Sequence, residues 1–273
     1  MNDTPLASPL GDLAADLVRQ TLLDAAEIAA SHTLPRFRSA LAVDNKLVGG
    51  FDPVTEADRE AELAIRQLLG ERFPTHAIIG EEWDDKAGAG PYAWIIDPID
   101  GTRAFISGVP VWGTLVGLTV NARAAAGLMA QPFTGEIFLS LPGEAAWYRG
   151  DQKVPLRTSK VTDLAAAKLT ATSPDLFELT PATLDPWTRL RGCVLTTRYG
   201  LDCYGYALLA AGHIDLVVEA RLKDVDICPL IPLIENAGGV ITTWEGGPAE
   251  GGGNCVAAAT PELHAAALAV LGG

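Results

Sequence analysis

The sequence predicts a layered α/β (α+β) fold in two halves packed as one unit, and three observations carry that expectation. Helical periodicity appears twice before the first apolar strand. Alternating apolar runs at Thr114–Val120, Ala125–Ala130, Glu136–Leu141 and Ala145–Tyr148, with turns at Asn121-Ala122 and Thr134-Gly135, read as an antiparallel meander. Beyond residue 150 strand candidates alternate with helices, which calls for layers rather than a barrel. The change of texture divides the chain into an N-terminal α+β half, 1–150, and a C-terminal α/β half, 151–273. With 273 residues, 48% hydrophobic and 20% charged, the chain can bury a sizeable core.

Taken in order, residues 1–9 read as frayed. From Leu10 to about Ser31, Leu10, Leu13, Leu17, Thr21, Ala25 and Ile28 share one helical face, with Asp12, Asp16, Arg19 and Glu27 away from it. Gly49-Gly50-Phe51-Asp52-Pro53 reads as a loop or hairpin, with Lys46 nearby as a solvated lysine. Thr55 reads as a helix N-cap and Asp58 as the third residue of a capping-box variant. Ala61, Ile65 and Leu68 form that helix's apolar stripe, and Glu62 with Arg66 an i,i+4 pair. Ala77-Ile78-Ile79-Gly80 is a short strand that delivers Glu81 and Glu82 at its end, and Asp84–Pro91 is a loop. In the second half, strands are expected at Leu169–Thr172, Cys193–Thr197, Asp215–Ala220, Val240–Trp244 and Asn254–Ala258. Ser173-Pro174, Asp185-Pro186 and Thr260-Pro261 have the form of a cap followed by a first helical turn. One helix around Tyr204–Ala211 should stop at Gly212, and another beginning near Asp226 at Gly238-Gly239. Gly251-Gly252-Gly253 reads as a loop.

The formal net charge is −14, from 34 acids and 20 bases. That balance argues against nucleic acid or an anionic membrane as a partner. It also repels phosphate esters, so a phosphate site here would need metal ions to invert the local field. Cys193, Cys203, Cys228 and Cys255 are widely spaced and read as small core residues in a reducing compartment. No signal-peptide pattern and no apolar stretch of membrane-span length is present, so a cytoplasmic protein is expected.

The chemistry concentrates in Trp94-Ile95-Ile96-Asp97-Pro98-Ile99-Asp100-Gly101-Thr102-Arg103-Ala104-Phe105. A short buried strand ends in two carboxylates around a proline that stiffens the bend. Carboxylates held side by side imply a cation between them, most naturally a hard one with oxygen ligands. If Gly101 and Thr102 open a helix, their N–H groups form an anion site beside that cation. A strand-ending turn with solvated acids accounts for the motif alone equally well, since Asp-Pro and Asp-Gly are common turn pairs. Glu81, at the end of a second short strand, can reach the same place. His32, His76, His213 and His264 lack metal-ligand spacing and read as structural or surface residues.

The ordered set Gly80-Glu81-Glu82, Asp97-Pro98-Ile99-Asp100-Gly101-Thr102, and Asp226 ahead of Asn236-Ala237-Gly238-Gly239 resembles the inositol monophosphatase superfamily over most of the chain. Within it the sequence is most similar to the histidinol-phosphate phosphatase branch, through Gly108-Val109-Pro110-Val111-Trp112-Gly113-Thr114-Leu115, Arg198-Tyr199-Gly200-Leu201-Asp202-Cys203-Tyr204 and Leu222-Lys223-Asp224-Val225-Asp226. The resemblance implies a five-layer αβαβα sandwich of the inositol monophosphatase and fructose-1,6-bisphosphatase type. It also implies magnesium-dependent hydrolysis of a small-molecule phosphate ester, with two or three Mg2+ ions per site, and a homodimer. Carried over by position, Glu81, Asp97, the Ile99 carbonyl, Asp100 and Asp226 are metal ligands. Gly101 and Thr102 hold phosphate, Glu81, Thr102 and Asp58 serve the attacking water, and Asp100, Arg198, Gly200, Asp202 and Glu219 meet the substrate. Lys223 stands ahead of the last aspartate where relatives often carry Trp.

This assignment agrees with the chemistry, because magnesium takes carboxylate oxygens and water, offsets the charge of a phosphate dianion and activates water for direct attack. No nucleophile motif points to a covalent intermediate. The leading expectation is a histidinol-phosphatase, in which Asp202 and Glu219 bind the cationic part of the substrate. The alternatives are an inositol monophosphatase or broad sugar and nucleotide phosphatase, and a non-catalytic relative. The complete acidic set speaks against the last. For Asp202 the competing role is to cap the helix that follows it.

Overall fold

The computed structural model describes residues 8–40, 43–45 and 53–272. Lys46 and the expected loop at 49–52 lie outside the described residues. The first half runs α1 (Ala15–Thr33), β1 (Val43–Asn45), β2 (Pro53–Thr55), α2 (Glu56–Arg72), β3 (Ala77–Gly80), β4 (Tyr92–Asp100) and α3 (Thr102–Ile106). It continues through β5 (Gly113–Val120), β6 (Arg123–Gln131), β7 (Glu136–Leu141), β8 (Glu144–Arg149) and β9 (Gln152–Pro155). The second half runs β10 (Lys168–Ala171), α4 (Pro181–Arg191), β11 (Thr196–Tyr199), α5 (Asp202–Ala210), β12 (Leu216–Leu222), α6 (Asp224–Ile227) and α7 (Ile231–Asn236). It ends with β13 (Val240–Thr243), β14 (Gly253–Ala258) and α8 (Pro261–Leu271).

These elements stack in five layers. Strands β3 to β9 form a seven-stranded sheet in sequence order, and β11-β10-β12-β14-β13 form a five-stranded one. Helices α1 and α2 cover one face of the larger sheet through Val18, Leu22, Ile65 and Leu69, packed on Trp94, Ile96, Val116 and Leu128. Helices α5 and α7 lie between the two sheets, where Tyr206, Leu209, Leu233 and Ile234 meet Leu115, Met129, Val217 and Ala257. Helices α4 and α8 close the far side, with Trp187, Leu190, Leu263 and Ala267 on Leu216, Val218 and Val256. The αβαβα sandwich is therefore the observed architecture, and β5 to β8 make the expected meander.

Two glycines let the middle layer sit low. A Cβ on Gly127 would stand 1.9 Å from the Pro229 carbonyl oxygen, and one on Gly117 would stand 3.0 Å from Pro229 Cα. The turn between α6 and α7 therefore rests directly on the backbone of β5 and β6.

Several local expectations are corrected. Helix α1 buries Val18, Thr21, Leu22, Ala25, Ala26 and Ala29, while Leu17 is 41% exposed, so its core face is rotated from the expected one. The small alanines fit either face, and the sheet beneath decides. Asp185-Pro186 does not open a helix: α4 starts at Pro181 after Thr180, and Pro186 lies inside it. The helix expected from Asp226 starts at Asp224 and breaks before α7, with Pro229 in the gap. Cys193 is exposed, whereas Cys203, Cys228 and Cys255 are buried, and all four are free thiols.

Candidate active site

Register builds the first part of the site. Strands β3 and β4 are parallel with Gly80 opposite Ile96, so Glu81 and Asp97 leave adjacent strands at the same level. Residues three apart on a regular strand point to opposite faces. The β4–β5 register shifts between Asp97 and Asp100, around Pro98, and this irregularity aims both carboxylates into one space. Asp97 Oδ1 accepts from the Ile99 N–H at 3.0 Å, and Thr102 Oγ1 donates to the Ile99 carbonyl at 3.1 Å. Gly101 turns the chain into α3 at φ +81°. A side chain there would press on Asp202, whose Cβ lies 3.0 Å from a built Cβ.

Helix α2 supplies the second part. Its N-cap is Thr55 in a capping box with Asp58, as expected. Asp58 Oδ2 accepts from Thr55 N and Oγ1 at 2.9 and 2.6 Å, and Asp58 is 1% exposed. One turn on, the fully buried Glu62 accepts from Arg66 Nε at 2.7 Å and from the Glu82 N–H at 2.8 Å. Arg66 in turn donates to the Trp83 and Asp84 carbonyls at 2.9 and 3.1 Å. The i,i+4 pair read from the sequence as helix support is thus a clamp on the loop that carries Glu81. Its second role has no local signal, because its partners are backbone groups on another element.

The third part comes from the C-terminal half. Lys223 is the N-cap of α6, and Asp226 Oδ2 accepts its N–H at 2.7 Å. Val225, not Lys223, immediately precedes Asp226, and it packs with Ile95 and Cys228. Lys223 therefore does not replace the Trp of relatives; its ammonium lies 2.8 Å from Glu81 Oε1. The Cys203 N–H, at the start of α5, donates to Asp100 Oδ2 at 2.7 Å and ties the halves together.

Asp97, Asp100 and Asp226 converge, each offering an oxygen within 4.8 Å of the others. Burial pushes the Asp97 carboxyl well above its ordinary range, and the charges of Glu81, Asp100, Asp226 and Asp58 push it further. Asp100 is raised by burial and by Asp226 and Asp202, against the pull of the Cys203 N–H. Asp226 is raised to about 6, again chiefly by burial. These groups and Glu81, Ile99, Gly101, Thr102, Arg103, Asp202 and Lys223 line a cavity of about 200 Å3.

A smaller recess behind it is lined by Asp100, Asp202, Tyr206, Glu219 and Asp226. Glu219 Oε1 accepts from Thr172 N and Oγ1 at 2.7 and 2.9 Å, while its Oε2 and the Tyr206 hydroxyl are buried without a hydrogen-bond partner among the described residues. Burial raises Glu219 to about 8 and Asp202 to about 6, the latter opposed by Arg103. Asp202 is not the helix cap: Leu201 holds that position, with no side-chain capping bond, and Asp202 sits at φ +47°. Of the other expected residues, Arg198 is exposed on edge strand β11, with its carbonyl accepting from Thr170 Oγ1, and neither it nor Gly200 lines the cavity.

The donor set suits a hard cation. All of its side-chain groups are carboxylates, the oxygens of Asp97, Asp100 and Asp226 lie close enough to share one ion, and the repulsion among these acids and Glu81 calls for positive charge. Glu81, Asp97, Asp100 and Asp226, with the Ile99 carbonyl beside them, are the residues that would hold magnesium.

Comparison with known proteins bears on the family and the fold. The model of the inositol monophosphatase family matches residues 15–272. Over 196 residues the chain is 42% identical to the bifunctional phosphatase IMPL2, chloroplastic, of Arabidopsis thaliana, a match covering 71% of this chain and 55% of that protein. It is 36% identical to the histidinol-phosphatase of Chlorobaculum parvum, covering 83% of this chain and 86% of the relative. Among solved structures, an inositol monophosphatase from Zymomonas mobilis superposes with a TM-score of 0.84 at 34% identity, over 95% of this chain and 99% of that one.

Proposed function

The chain belongs to the inositol monophosphatase family, and from that premise we propose that it is a magnesium-dependent histidinol-phosphatase, hydrolysing L-histidinol phosphate to L-histidinol and phosphate. That it is a phosphatase of this family follows from the match over residues 15–272. The choice of substrate rests on one observation: two carboxylates, the buried Glu219 and the half-buried Asp202, stand beside the acidic cluster, and Glu219 keeps one oxygen without a partner among the described residues. Histidinol carries an ammonium and an imidazole, whereas inositol carries hydroxyls alone. A buried carboxylate raised by burial gains most from a ligand that brings a positive charge, through a charge-assisted hydrogen bond.

The chain's own groups divide the work. Glu81, Asp97, Asp100 and Asp226 hold the cation, which when bound offsets the ester's charge and activates water. Gly101 and Thr102 face the cavity at the start of α3 and receive the phosphate. Asp58 and Thr102 orient the attacking water, Asp58 being fixed by its bonds to Thr55. Asp202 and Glu219 bind the amine end and so aim the ester bond at the cluster.

Phosphate release with magnesium tests the proposal across histidinol phosphate, inositol 1-phosphate and nucleotide 3′-phosphates. Histidinol phosphate should give the highest kcat/KM. Asp202→Asn should lower that value about tenfold or more, the scale of one hydrogen bond to a charged group, and change the others less. A preference for inositol phosphate, or an equal response of all esters to Asp202→Asn, overturns it. The second reading, an inositol monophosphatase, draws on the Zymomonas mobilis structure and its nearly complete coverage.

A further inference from the structure

Lys223 reaches into the acidic cavity with an ammonium group and occupies one of the carboxylates that would hold the cation. We infer that Lys223 is a tethered counter-ion for Glu81, which competes with the divalent cation for that carboxylate and so sets how much magnesium the site requires. The inference rests on the reading of Glu81, Asp97, Asp100 and Asp226 as the cation's ligands, and concerns how that site is loaded.

Three observations carry it. The ammonium lies 2.8 Å from Glu81 Oε1, a direct ion pair across the two halves of the molecule. The lysine's root is fixed, because its backbone N–H is held by Asp226 Oδ2 at 2.7 Å, another of the ligands. Its side chain is 53% exposed while that of Glu81 is 12% exposed, so the carboxylate is the buried partner and the ammonium the one facing water.

The physical consequence is an exchange. An ammonium offers three donors and no acceptor, and an oxygen engaged with it presents less negative charge to a second cation. A dication beside an ammonium also repels it. A compact charge on a four-carbon stem can leave toward solvent with its root still in place. An ion pair with one exposed partner is weak, so a dication held by several carboxylates displaces it, though at a measurable loss of affinity. With Lys223 in place, the metal-free cavity is less repulsive than its acids alone would make it. Loading then needs a higher magnesium concentration.

Magnesium titration by calorimetry, which reads binding without turnover, tests this on the full chain with K223M, K223Q and K223R. K223M and K223Q should bind magnesium tighter by about three- to tenfold, the range of a weak ion pair plus the removed repulsion. K223R, which keeps the charge, should stay close to wild type. In chelator, K223M should melt at a lower temperature than wild type, because Glu81 loses its cation. Unchanged or weaker binding in both neutral variants overturns the inference alone, as does an equal tightening in K223R. A wild-type chain that binds no magnesium overturns the ligand assignment, and the inference with it.

Discussion

Asp97 is 2% exposed and faces the charges of Glu81, Asp100, Asp226 and Asp58. Under the proposed function its charge helps to hold a cation, and without one that charge is unfavourable. Asp97→Asn therefore separates the two roles. Magnesium-dependent phosphate release should fall by several orders of magnitude. The variant's metal-free form should melt at the wild-type temperature or above, since the amide oxygen can still accept from Ile99 N while the repulsion is gone. Thermal melts in chelator read the second effect, and a clear drop would mean that the negative charge of Asp97 stabilises the fold. At this scale the sequence was informative about which acids come together, since Asp97, Asp100 and Asp226 converge as their motifs led one to expect. For Asp202 it left substrate recognition and helix capping side by side, and the left-handed backbone at φ +47° disposes of the cap. That the Glu219 oxygen and the Tyr206 hydroxyl have no partner among the described residues depends on how α5 packs on β12, which no local pattern records.

Helix α2 presents Asp58, Glu62 and Arg66 in a stripe at successive i,i+4 positions toward the active-site loop. The first reaches the charge cluster and the other two hold residues 82–84 in place. Arg66→Ala leaves the Glu62 carboxylate buried without its cation and releases two backbone carbonyls. The expected cost is about 3 kcal/mol of stability, the scale of a broken buried pair, together with a higher magnesium requirement because Glu81 is no longer aimed. Chemical denaturation and a magnesium activation curve measure the two, and a stability change below about 1 kcal/mol would reduce the pair to a surface contact. The elements themselves were legible where local signals agreed, as at Thr55 with Asp58 and at Thr260-Pro261. They were not where two signals competed: Thr180-Pro181 and Asp185-Pro186 have the same form, and the earlier start adds a turn in which Thr183 is buried with its hydroxyl donating to the Phe177 carbonyl. The core face of α1 was misread for a related reason, since it is rich in alanine and its sequence alone defines a broad apolar arc.

For the molecule as a whole, the cavity couples folding to pH and metal. The buried acids hold their protons to a higher pH in the folded chain than in the unfolded one. For Glu219 the window runs from 4.5 to about 8, and for Asp202 and Asp226 from 3.8 to about 6. Inside those windows the folded state binds more protons, so stability falls as pH rises. The metal-free chain should accordingly melt lower at pH 8 than at pH 5, by about 2–4 °C for each kcal/mol lost. Saturating magnesium should remove most of that difference, because it supplies the charge that deprotonation calls for. Melts at the two pH values, with chelator and with magnesium, decide it, and a metal-free chain more stable at pH 8 would contradict the burial of these groups as acids. The order of the five layers came only from the family resemblance, whereas two layered halves were legible from the switch between a meander and alternating elements. The seat of Pro229 on Gly117 and Gly127 was not, since it joins segments distant in sequence.

The division of the ligands between the halves also has a consequence in time. Synthesis delivers Glu81, Asp97 and Asp100 well before Asp226, and the middle layer that covers them, α5 to α7, arrives between and after. Until α5 has left the ribosome the nascent chain holds three acids at the ends of β3 and β4 without the Cys203 N–H to meet them, and until α6 follows it lacks the Lys223 ammonium too. Closure of the acidic cluster is therefore among the last events in the making of this protein, and the face of β5 and β6 on which Pro229 comes to rest stays bare until then.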